Sequence, residues 1–305
     1  MRTRTLITTV APGPLLSDTE LTRLRSQMLT RRDRQRRRTT TPFPGTRHSP
    51  FIGQGLELHE LRPYQPGDER RHLDWRATAR RGRPYARVFI AERQPALLLI
   101  VDRRPAMAFG TRREIKMTAA ARCAALLAFA TLADGGRVGG IVLEHGLQQF
   151  APGRSTQALT PLLQAVTAPP TSSPQASPSL AQAIDLALRQ RSHGTALCVI
   201  SDLADIGSVS DAQLQRCGQQ LSTVFIRVRD PAELTLPDAG WLRLRSPEGD
   251  AMLVVDSSDP VIRQRHAAAV LQHDQQLARR CRRANITLLT LDNDRDALMQ
   301  LDHVL

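Results

Sequence analysis

Two uninterrupted apolar runs, each leading into an aspartate, constrain this chain more than any other feature. Residues 97–101 lead into Asp102, and residues 196–200 lead through Ser201 into Asp202. Apolar runs of this length, separated by helical patterns, are typical of parallel strands that are covered on both faces. Because the carboxyl ends of parallel strands meet at one edge of the sheet, we expect both aspartates to lie at a common crevice.

From residue 95 onward, strand and helix patterns alternate, which predicts an α/β domain. Its central, mostly parallel sheet is expected to be flanked by helices. Strands are predicted at residues 97–102, 137–143, 147–150, 196–200, 223–228 and 286–291, and helices at 112–132, 156–166, 180–190, 211–219 and 260–283. Residues 241–244 and 252–255 predict a hairpin around the turn at 247–250.

Upstream of residue 95 the chain reads as two further segments. Residues 1–40 hold one helical pattern, at 17–30, which ends in the arginine-rich run 31–38, so we interpret them as a basic helix and arm. Residues 41–94 begin with a proline- and glycine-rich stretch typical of a linker and continue into short strand patterns. These patterns predict a small β segment. The predicted boundaries are therefore 1–40, 41–94 and 95–305.

The net charge of +13 belongs mainly to the N-terminal third of the chain. Residues 1–93 carry 20 arginines against nine acidic residues. The run at 31–38 satisfies the electrostatic requirement for binding phosphate backbones, so nucleic-acid association is an alternative function. Aromatic residues make up only 4% of the chain, which disfavours a surface that stacks bases, and no helix-turn-helix or zinc-finger spacing occurs. The sequence alone therefore disfavours a nucleic-acid partner.

Composition and motifs also indicate the cellular compartment and whether the chain carries catalytic residues. The four cysteines lie far apart without metal-ligand spacing, which is typical of buried thiols in a reducing compartment. No apolar stretch reaches the roughly 20 residues of a membrane span, so we expect a cytoplasmic protein. The sequence contains none of the common hydrolase, zinc-protease or nucleotide-binding motifs, which predicts that the protein is not an enzyme.

Several sequence blocks with a characteristic spacing occur between residue 53 and residue 233. They are Gly-Gln-Gly-Leu-Glu at 53–57, Arg-Pro-Tyr-Gln-Pro-Gly-Asp at 62–68, Leu-Asp-Trp-Arg-Ala-Thr-Ala-Arg at 73–80, Glu92, Ile-Ser-Asp-Leu at 200–203 and Asp-Pro-Ala-Glu at 230–233. Together these blocks resemble the signature of the DUF58 family, whose members are similar to von Willebrand factor A (vWA) domains. The resemblance runs from about residue 40 to the C-terminus and implies a vWA-like Rossmannoid domain after a small β segment.

The same resemblance implies a degenerate metal site. Metal-binding vWA domains hold Mg²⁺ with a DxSxS loop, a threonine and a second aspartate, and Mg²⁺ requires near-octahedral oxygen ligands. Here the aspartates correspond to Asp102 and Asp202, but Arg104 and Ala106 replace the two serines and Pro178 holds the threonine position. We therefore expect no cofactor, with weak Mg²⁺ binding between Asp102 and Asp202 disfavoured.

Arginine is the expected substitute for the missing cation. Our hypothesis is that Arg104 or Arg103 pairs with Asp102 and Asp202, because a guanidinium binds carboxylates through two parallel hydrogen bonds. Ser177 and Ser179 lie near the threonine position, but neither is in register with it.

The signature residues upstream of the α/β domain have two open interpretations, a partner surface or a fold determinant. Gly67 and Asp68 suit a turn, Asp74 suits a cap or a pair with Arg62 or Arg80, and Trp75 suits a core position. The residues in question are Arg62, Tyr64, Gly67, Asp68, Asp74, Trp75, Arg80 and Glu92.

DUF58 proteins typically accompany MoxR-type AAA+ ATPases, which act as chaperones in the maturation of protein complexes. The resemblance therefore implies a non-catalytic, vWA-like adaptor that works with such an ATPase. The sequence leaves open the client complex, the identity of the ATPase and the oligomeric state.

Overall fold

The computed structural model describes residues 13–38, 60–63, 75–88, 96–171, 177–191, 194–245 and 252–302. The chain divides into two compact units. One consists of Gly53–Gln94, and the other of Met1–Ile52 together with Pro95–Leu305.

The larger unit is built on a six-stranded sheet, which confirms the predicted α/β class. Numbered in chain order, its strands are β3 (Ala96–Asp102), β4 (Arg137–Leu143), β5 (Leu147–Gly153), β6 (Thr195–Ser201), β7 (Ser222–Arg229) and β10 (Thr287–Asp292). Five of these strands are parallel to their neighbours, and the edge strand β5 is antiparallel to β4. The strand order is β10-β7-β6-β3-β4-β5, consistent with a Rossmann-like or vWA-like fold.

Helices cover both faces of this sheet, because the central strands are apolar on both sides. The helices are α1 (Asp18–Arg38), α3 (Lys116–Ala133), α4 (Thr156–Thr167), α5 (Leu180–Gln190), α6 (Asp211–Gln220), α7 (Pro231–Leu234), α8 (Pro260–Arg283) and α9 (Ala297–Gln300). On one face of β3, Leu97, Leu99 and Val101 pack into a core with α1, α3, α4 and α9. On the other face, Leu98 and Ile100 pack into a core with α5, α6 and α8.

The strand order reverses between β3 and β6, and this switch point positions the crevice. After β3 the chain builds β4 and β5 on one side, and it then returns to place β6 on the other side of β3. Asp102 is the last residue of β3, and Asp202 directly follows β6. The two aspartates therefore lie on adjacent strands at the sheet edge where open α/β sheets bind ligands.

The N-terminal helix α1 is longer than the sequence predicted and is part of the larger unit. It continues from Asp18 through the arginine run to Arg38, because arginine is a strong helix former and nothing in the run breaks a helix. Leu24 and Met28 are buried in the core that α3 dominates. The segment that the sequence set apart as a basic arm therefore contributes a packed helix to the α/β unit.

The smaller unit contains a two-stranded antiparallel sheet and a short helix. Strand β1 (Glu60–Pro63) pairs with β2 (Tyr85–Val88), and α2 (Trp75–Arg81) lies between them in sequence. The sequence analysis was wrong to suggest a core position for Trp75, because this residue is 72% exposed. Arg80 is also exposed, and Arg62 lies on β1. Tyr64, Gly67, Asp68, Asp74 and Glu92 lie outside the described residues.

Helix α3 is the central helix of the larger unit. It has the length and hydropathy of a membrane-spanning helix, but 72% of it is buried inside the unit, as expected of a core helix. The four cysteines, which lie on α3, β6, α6 and α8, are buried free thiols, as the sequence indicated. A separate hairpin of β8 (Trp241–Arg245) and β9 (Met252–Asp256) confirms the predicted one.

Candidate functional site: an ion-paired crevice

Arg104 binds two carboxylates at once at the carboxyl edge of the sheet. Its Nε and Nη2 donate to Oδ1 and Oδ2 of Asp102 at 3.0 and 2.7 Å. Its Nη1 and Nη2 donate to Oδ2 and Oδ1 of Asp205 at 2.6 and 2.8 Å. Both contacts are bidentate, which is the strongest arrangement of a guanidinium with a carboxylate.

The carboxylate of Asp102 accepts two further hydrogen bonds besides those from the guanidinium. Its carboxylate accepts the Arg104 backbone N–H at 3.0 Å and the Ser201 hydroxyl at 2.6 Å, so β3 and β6 are joined at their ends. Ser201 also accepts the backbone N–H of Leu203 at 3.0 Å. Leu203 has φ of 58°, a left-handed conformation that costs a leucine about 1–2 kcal/mol. The chain therefore turns sharply after β6 to position Asp202.

Asp205 links Arg104 to the start of α5. Its Oδ2 accepts the backbone N–H of Leu180 at 2.9 Å, where a helix N-terminus favours negative charge. Ser179 is the N-cap of α5, and its hydroxyl accepts the Gln182 N–H. Pro178, at the position where the resemblance puts a threonine ligand, directly precedes this cap. The hydroxyl of Ser179 is therefore used in capping.

Lys116 forms a second ion-paired group beside the first. It is the single lysine of the chain, and its side chain is 2% exposed at the start of α3. Its Nζ donates to Oδ2 of Asp202 at 2.9 Å and to Oε1 of Glu233 at 2.6 Å. The ammonium thus lies between the loop after β6 and helix α7.

Glu233 is oriented by the capping box of α7. Asp230 is the N-cap, and its Oδ1 accepts the Ala232 N–H, while its own N–H donates to Oε2 of Glu233 at 3.0 Å. Asp230 is itself fully buried and accepts hydrogen bonds from Thr111 and Asn293. The buried network at the end of β7 therefore directs Glu233 towards Lys116.

The sequence analysis expected Arg104 or Arg103 to pair with Asp102 and Asp202, and one of these pairs, Arg104 with Asp102, is present. Arg104 pairs with Asp102 as expected, but its second partner is Asp205 and not Asp202, because Lys116 already occupies Asp202. Arg103 points away from the crevice. Its guanidinium donates to the carbonyl oxygens of Val166 and Ala168 at the end of α4, at 2.5 and 2.8 Å.

The carboxylates around Arg104 and Lys116 keep both side chains positively charged. Burial lowers the pKa of Arg104 and of Lys116, but their carboxylate partners outweigh burial, so each pKa is raised above its usual value. Burial raises the pKa of Asp205, and the hydrogen bonds from Arg104 and Leu180 outweigh it, so the pKa is lowered. Two cations here face four carboxylates, and the most exposed of these is Glu233, at 37%.

The residues present do not fit a divalent cation. Every carboxylate oxygen of Asp102, Asp202, Asp205 and Glu233 already accepts a hydrogen bond. Ala106 lies in the 3-10 turn Pro105–Ala108 and offers no side-chain oxygen. No group of three or more histidine, cysteine or acidic residues within the described part of the chain is placed to hold a metal. A metal would have to displace two buried cations.

Three residues of this crevice were missed by the sequence analysis as site residues. Asp205 lies three residues beyond Asp202 in a loop with no periodic pattern that would place it. Lys116 stood out as the single lysine, and Glu233 belongs to a visible Asp-Pro-Ala-Glu capping box. These two signals could have found Lys116 and Glu233, but only the fold shows that they meet.

Comparison with known proteins places the chain in a family. The model of the family described as "Protein of unknown function DUF58" matches residues 60–276. The chain belongs to the DUF58 family. This confirms the resemblance at the level of the family.

Relatives of this DUF58 protein include uncharacterized proteins of Mycobacterium tuberculosis (Rv1480) and Mycobacterium bovis (Mb1516). Each is 32% identical over 251 residues, which cover 82% of this chain and 78% of the relative. Among solved structures, an aerotolerance-related membrane protein from Bacteroides fragilis matches with 14% identity and a TM-score of 0.40. The match covers 69% of this chain and 98% of that one.

Titration with divalent cations tests whether the crevice excludes metal. We expect no saturable heat when Mg²⁺ or Mn²⁺ is added in a calorimeter, because the carboxylate oxygens are already bonded to fixed cations. The Asp202→Asn variant is the control for nonspecific binding. A micromolar, saturable heat that this substitution abolishes would contradict the ion-paired account.

Acid unfolding tests the Asp205 contacts. The folded-state pKa of Asp205 is lowered below the unfolded value of about 3.9. The ionised carboxylate therefore stabilises the folded state fully above that pH, and this contribution is lost as pH falls through the folded-state pKa. We expect the free energy of unfolding to fall less steeply below about pH 4 in Asp205→Asn than in the wild type. Denaturant unfolding from pH 7 to 2.5 measures this. Equal slopes for Asp205→Asn and the wild type would refute this expectation. The control is Asp185→Asn, which removes a carboxylate that is 42% exposed and lies outside the crevice.

Proposed function

We propose that this protein is a non-catalytic, vWA-like adaptor and that the ion-paired crevice is a face for docking another protein. The observation that carries this proposal is that Arg104 and Lys116 pair with four carboxylates at the carboxyl edge of the sheet, where the resemblance implies a degenerate metal site. Their four carboxylate partners are bonded to fixed groups, and Ser201, the hydroxyl that touches Asp102, is fully buried. Among the described residues of the crevice the charged groups are paired with one another and the hydroxyl of Ser201 is buried, which suits recognition more than nucleophilic chemistry.

The strand order supports the vWA-like part of the proposal. The doubly wound sheet with one antiparallel edge strand, together with aspartates after β3 and β6, fits such a domain. The proposed partner is a MoxR-type AAA+ ATPase, as the resemblance to DUF58 proteins implies. The adaptor would act in the cytoplasm, in the maturation of protein complexes.

The nucleic-acid alternative is weakened by the contacts of α1. Arg31 donates to Asp302 and Arg32 contacts Asp134 at 3.4 Å, so these two basic residues of the run are directed at acidic groups of the same unit. A gel-shift series separates the two functions. Binding through phosphates must weaken steeply as salt rises, whereas an adaptor gives no shift at physiological salt.

Affinity capture with a crevice variant tests the adaptor proposal. We expect the immobilised full-length protein to recover an AAA+ ATPase from extract of the source cells, identified by mass spectrometry. Glu233→Gln removes the most exposed charge of the crevice while keeping the shape of the side chain, and we expect at least about tenfold less ATPase, since a lost charged contact costs about 1.5–3 kcal/mol.

The matched control is Asp185→Asn, which removes a carboxylate on α5 that is 42% exposed, close to the exposure of Glu233, and that pairs with Arg216. This variant should recover as much ATPase as the wild type. Failure of the wild type to recover any AAA+ ATPase with ATP, ADP or no nucleotide would overturn the partner assignment. Equal recovery by wild type and Glu233→Gln would overturn the docking face.

A further inference from the structure

A basic surface lies at the edge of the six-stranded sheet where its parallel strands begin, which we call the amino edge. Because α5 and α8 each lead into a parallel strand, their last turns lie at this edge. The start of β4 lies there too, as does the end of the antiparallel strand β5, since Gly153 is paired with Val138. The arginines of these segments are Arg137, Arg154, Arg189, Arg191, Arg282 and Arg283.

These arginines are available to a partner. Five of the six are exposed, and Arg137 is half-buried. Arg191 donates to the carbonyl oxygen of Leu188 at 3.0 Å, and the other five form no ion pair or side-chain hydrogen bond with a described residue. Positive charge is favoured at the C-terminal ends of α5 and α8 by the helix dipole, but it is disfavoured at Arg154, which directly precedes the N-cap of α4. The dipoles therefore do not account for the whole set.

Among the described residues, acidic side chains are nearly absent from the amino edge. Asp134 is the single acidic residue in the described connections between helices and strands at this edge, and Arg32 of α1 contacts it at 3.4 Å. Asp102 and Asp202, by contrast, lie at the opposite edge with the rest of the ion-paired crevice. The two edges of the sheet therefore differ in charge, the amino edge being positive and the crevice edge rich in carboxylates.

Helix α1 carries further arginines towards the same edge. Near its start, Glu20 lies 3.5 Å from Arg122 of α3, and further along, Arg32 contacts Asp134 directly after α3. The helix therefore runs in the same direction as α3, and its last turns, with arginines at 34 and 36–38, continue towards the amino edge.

We propose that the amino edge binds the surface of an anionic phospholipid membrane. A guanidinium binds phosphate through two parallel hydrogen bonds, and each basic residue near an anionic bilayer strengthens binding about fivefold. The six strands span about 24 Å, and the helices on each face of the sheet add about 10 Å. The arginines come from both of these faces, since α4 packs on one and α5 and α8 on the other.

The spread of these charges favours a membrane over a nucleic acid. Because the arginines are distributed in two dimensions and not along one strip, a plane of headgroups contacts more of them than the phosphate rows of a nucleic acid. Single strands are held by bases that stack on aromatic side chains. No phenylalanine, tyrosine or tryptophan occurs at residues 132–137, 153–156, 189–195, 219–222 or 283–287.

Binding through the amino edge is compatible with the adaptor proposal. An anionic surface attracts the amino edge and repels the carboxylate-rich edge, so the ion-paired crevice would face away from the membrane. The crevice would then be free to dock another protein. The two surfaces share no residue, so this inference and the adaptor proposal stand or fall separately.

Co-sedimentation of the full-length chain with lipid vesicles tests the proposal. We expect binding to vesicles of equal parts phosphatidylcholine and phosphatidylglycerol, none to phosphatidylcholine alone, and weaker binding as salt rises, because salt screens the headgroup charge. Arg282→Glu with Arg283→Glu should weaken binding to the anionic vesicles at least about tenfold. Arg154→Glu should weaken it about fivefold without harm to the fold, since a carboxylate is favoured before the N-terminus of α4.

The matched control is the double variant Arg243→Glu with Arg265→Glu. It makes the same change in net charge at two exposed arginines of β8 and of the first half of α8, away from the amino edge, and it should bind vesicles like the wild type. Circular dichroism checks that each variant is folded.

Three results would overturn the proposal. One is a wild type that does not prefer anionic vesicles, and another is binding that both amino-edge variants leave unchanged or that the control weakens equally. The third is displacement of the bound protein by a DNA duplex at equal phosphate concentration, which would assign the amino edge to nucleic acid instead.

Discussion

The guanidinium of Arg104, clamped between Asp102 and Asp205, is the interaction on which the crevice depends. It joins the end of β3 to the loop after β6, and through Asp205 it reaches the first turn of α5. These elements come from both sides of the switch point in the sheet. A neutral side chain at position 104 would leave the buried carboxylate of Asp102 and the partly buried carboxylate of Asp205 without their shared counter-charge. The contact between the end of β3, the loop after β6 and the start of α5 therefore rests on this one positive charge.

Lys116 repeats this arrangement on the other side of the crevice. It joins the start of α3 to Asp202 and, through Glu233, to the buried network around Asp230. Removing one partner of a buried ion pair is far more costly than the net value of the pair, because the remaining charges lose their compensation. The two cations therefore tie the ends of β3 and β6 to the starts of α3 and α5 and to α7.

The sequence predicted the α/β class and some of the crevice residues, namely Asp102, Arg104 and Asp202. Continuous apolar strands such as residues 97–101 predicted a sheet covered on both faces, and the aspartates after two of them predicted the crevice correctly. It was not sufficient for Asp205, Lys116 and Glu233, because contacts between distant loops follow from the strand order and not from a local pattern. Helix α1 was predicted too short for a different reason. Its apolar periodicity stops near residue 28, but arginine continues the helix without it.

Unfolding of the Lys116→Met variant tests the central claim that buried cations hold this crevice together. The account predicts that the free energy of unfolding falls by about 3–5 kcal/mol, since Asp202 and Glu233 lose their counter-charge. It also predicts that Lys116→Met with Asp202→Asn and Glu233→Gln regains part of that loss, since the uncompensated charges are then gone. A loss below about 1 kcal/mol in the single variant, the value of an exposed pair, would contradict the account.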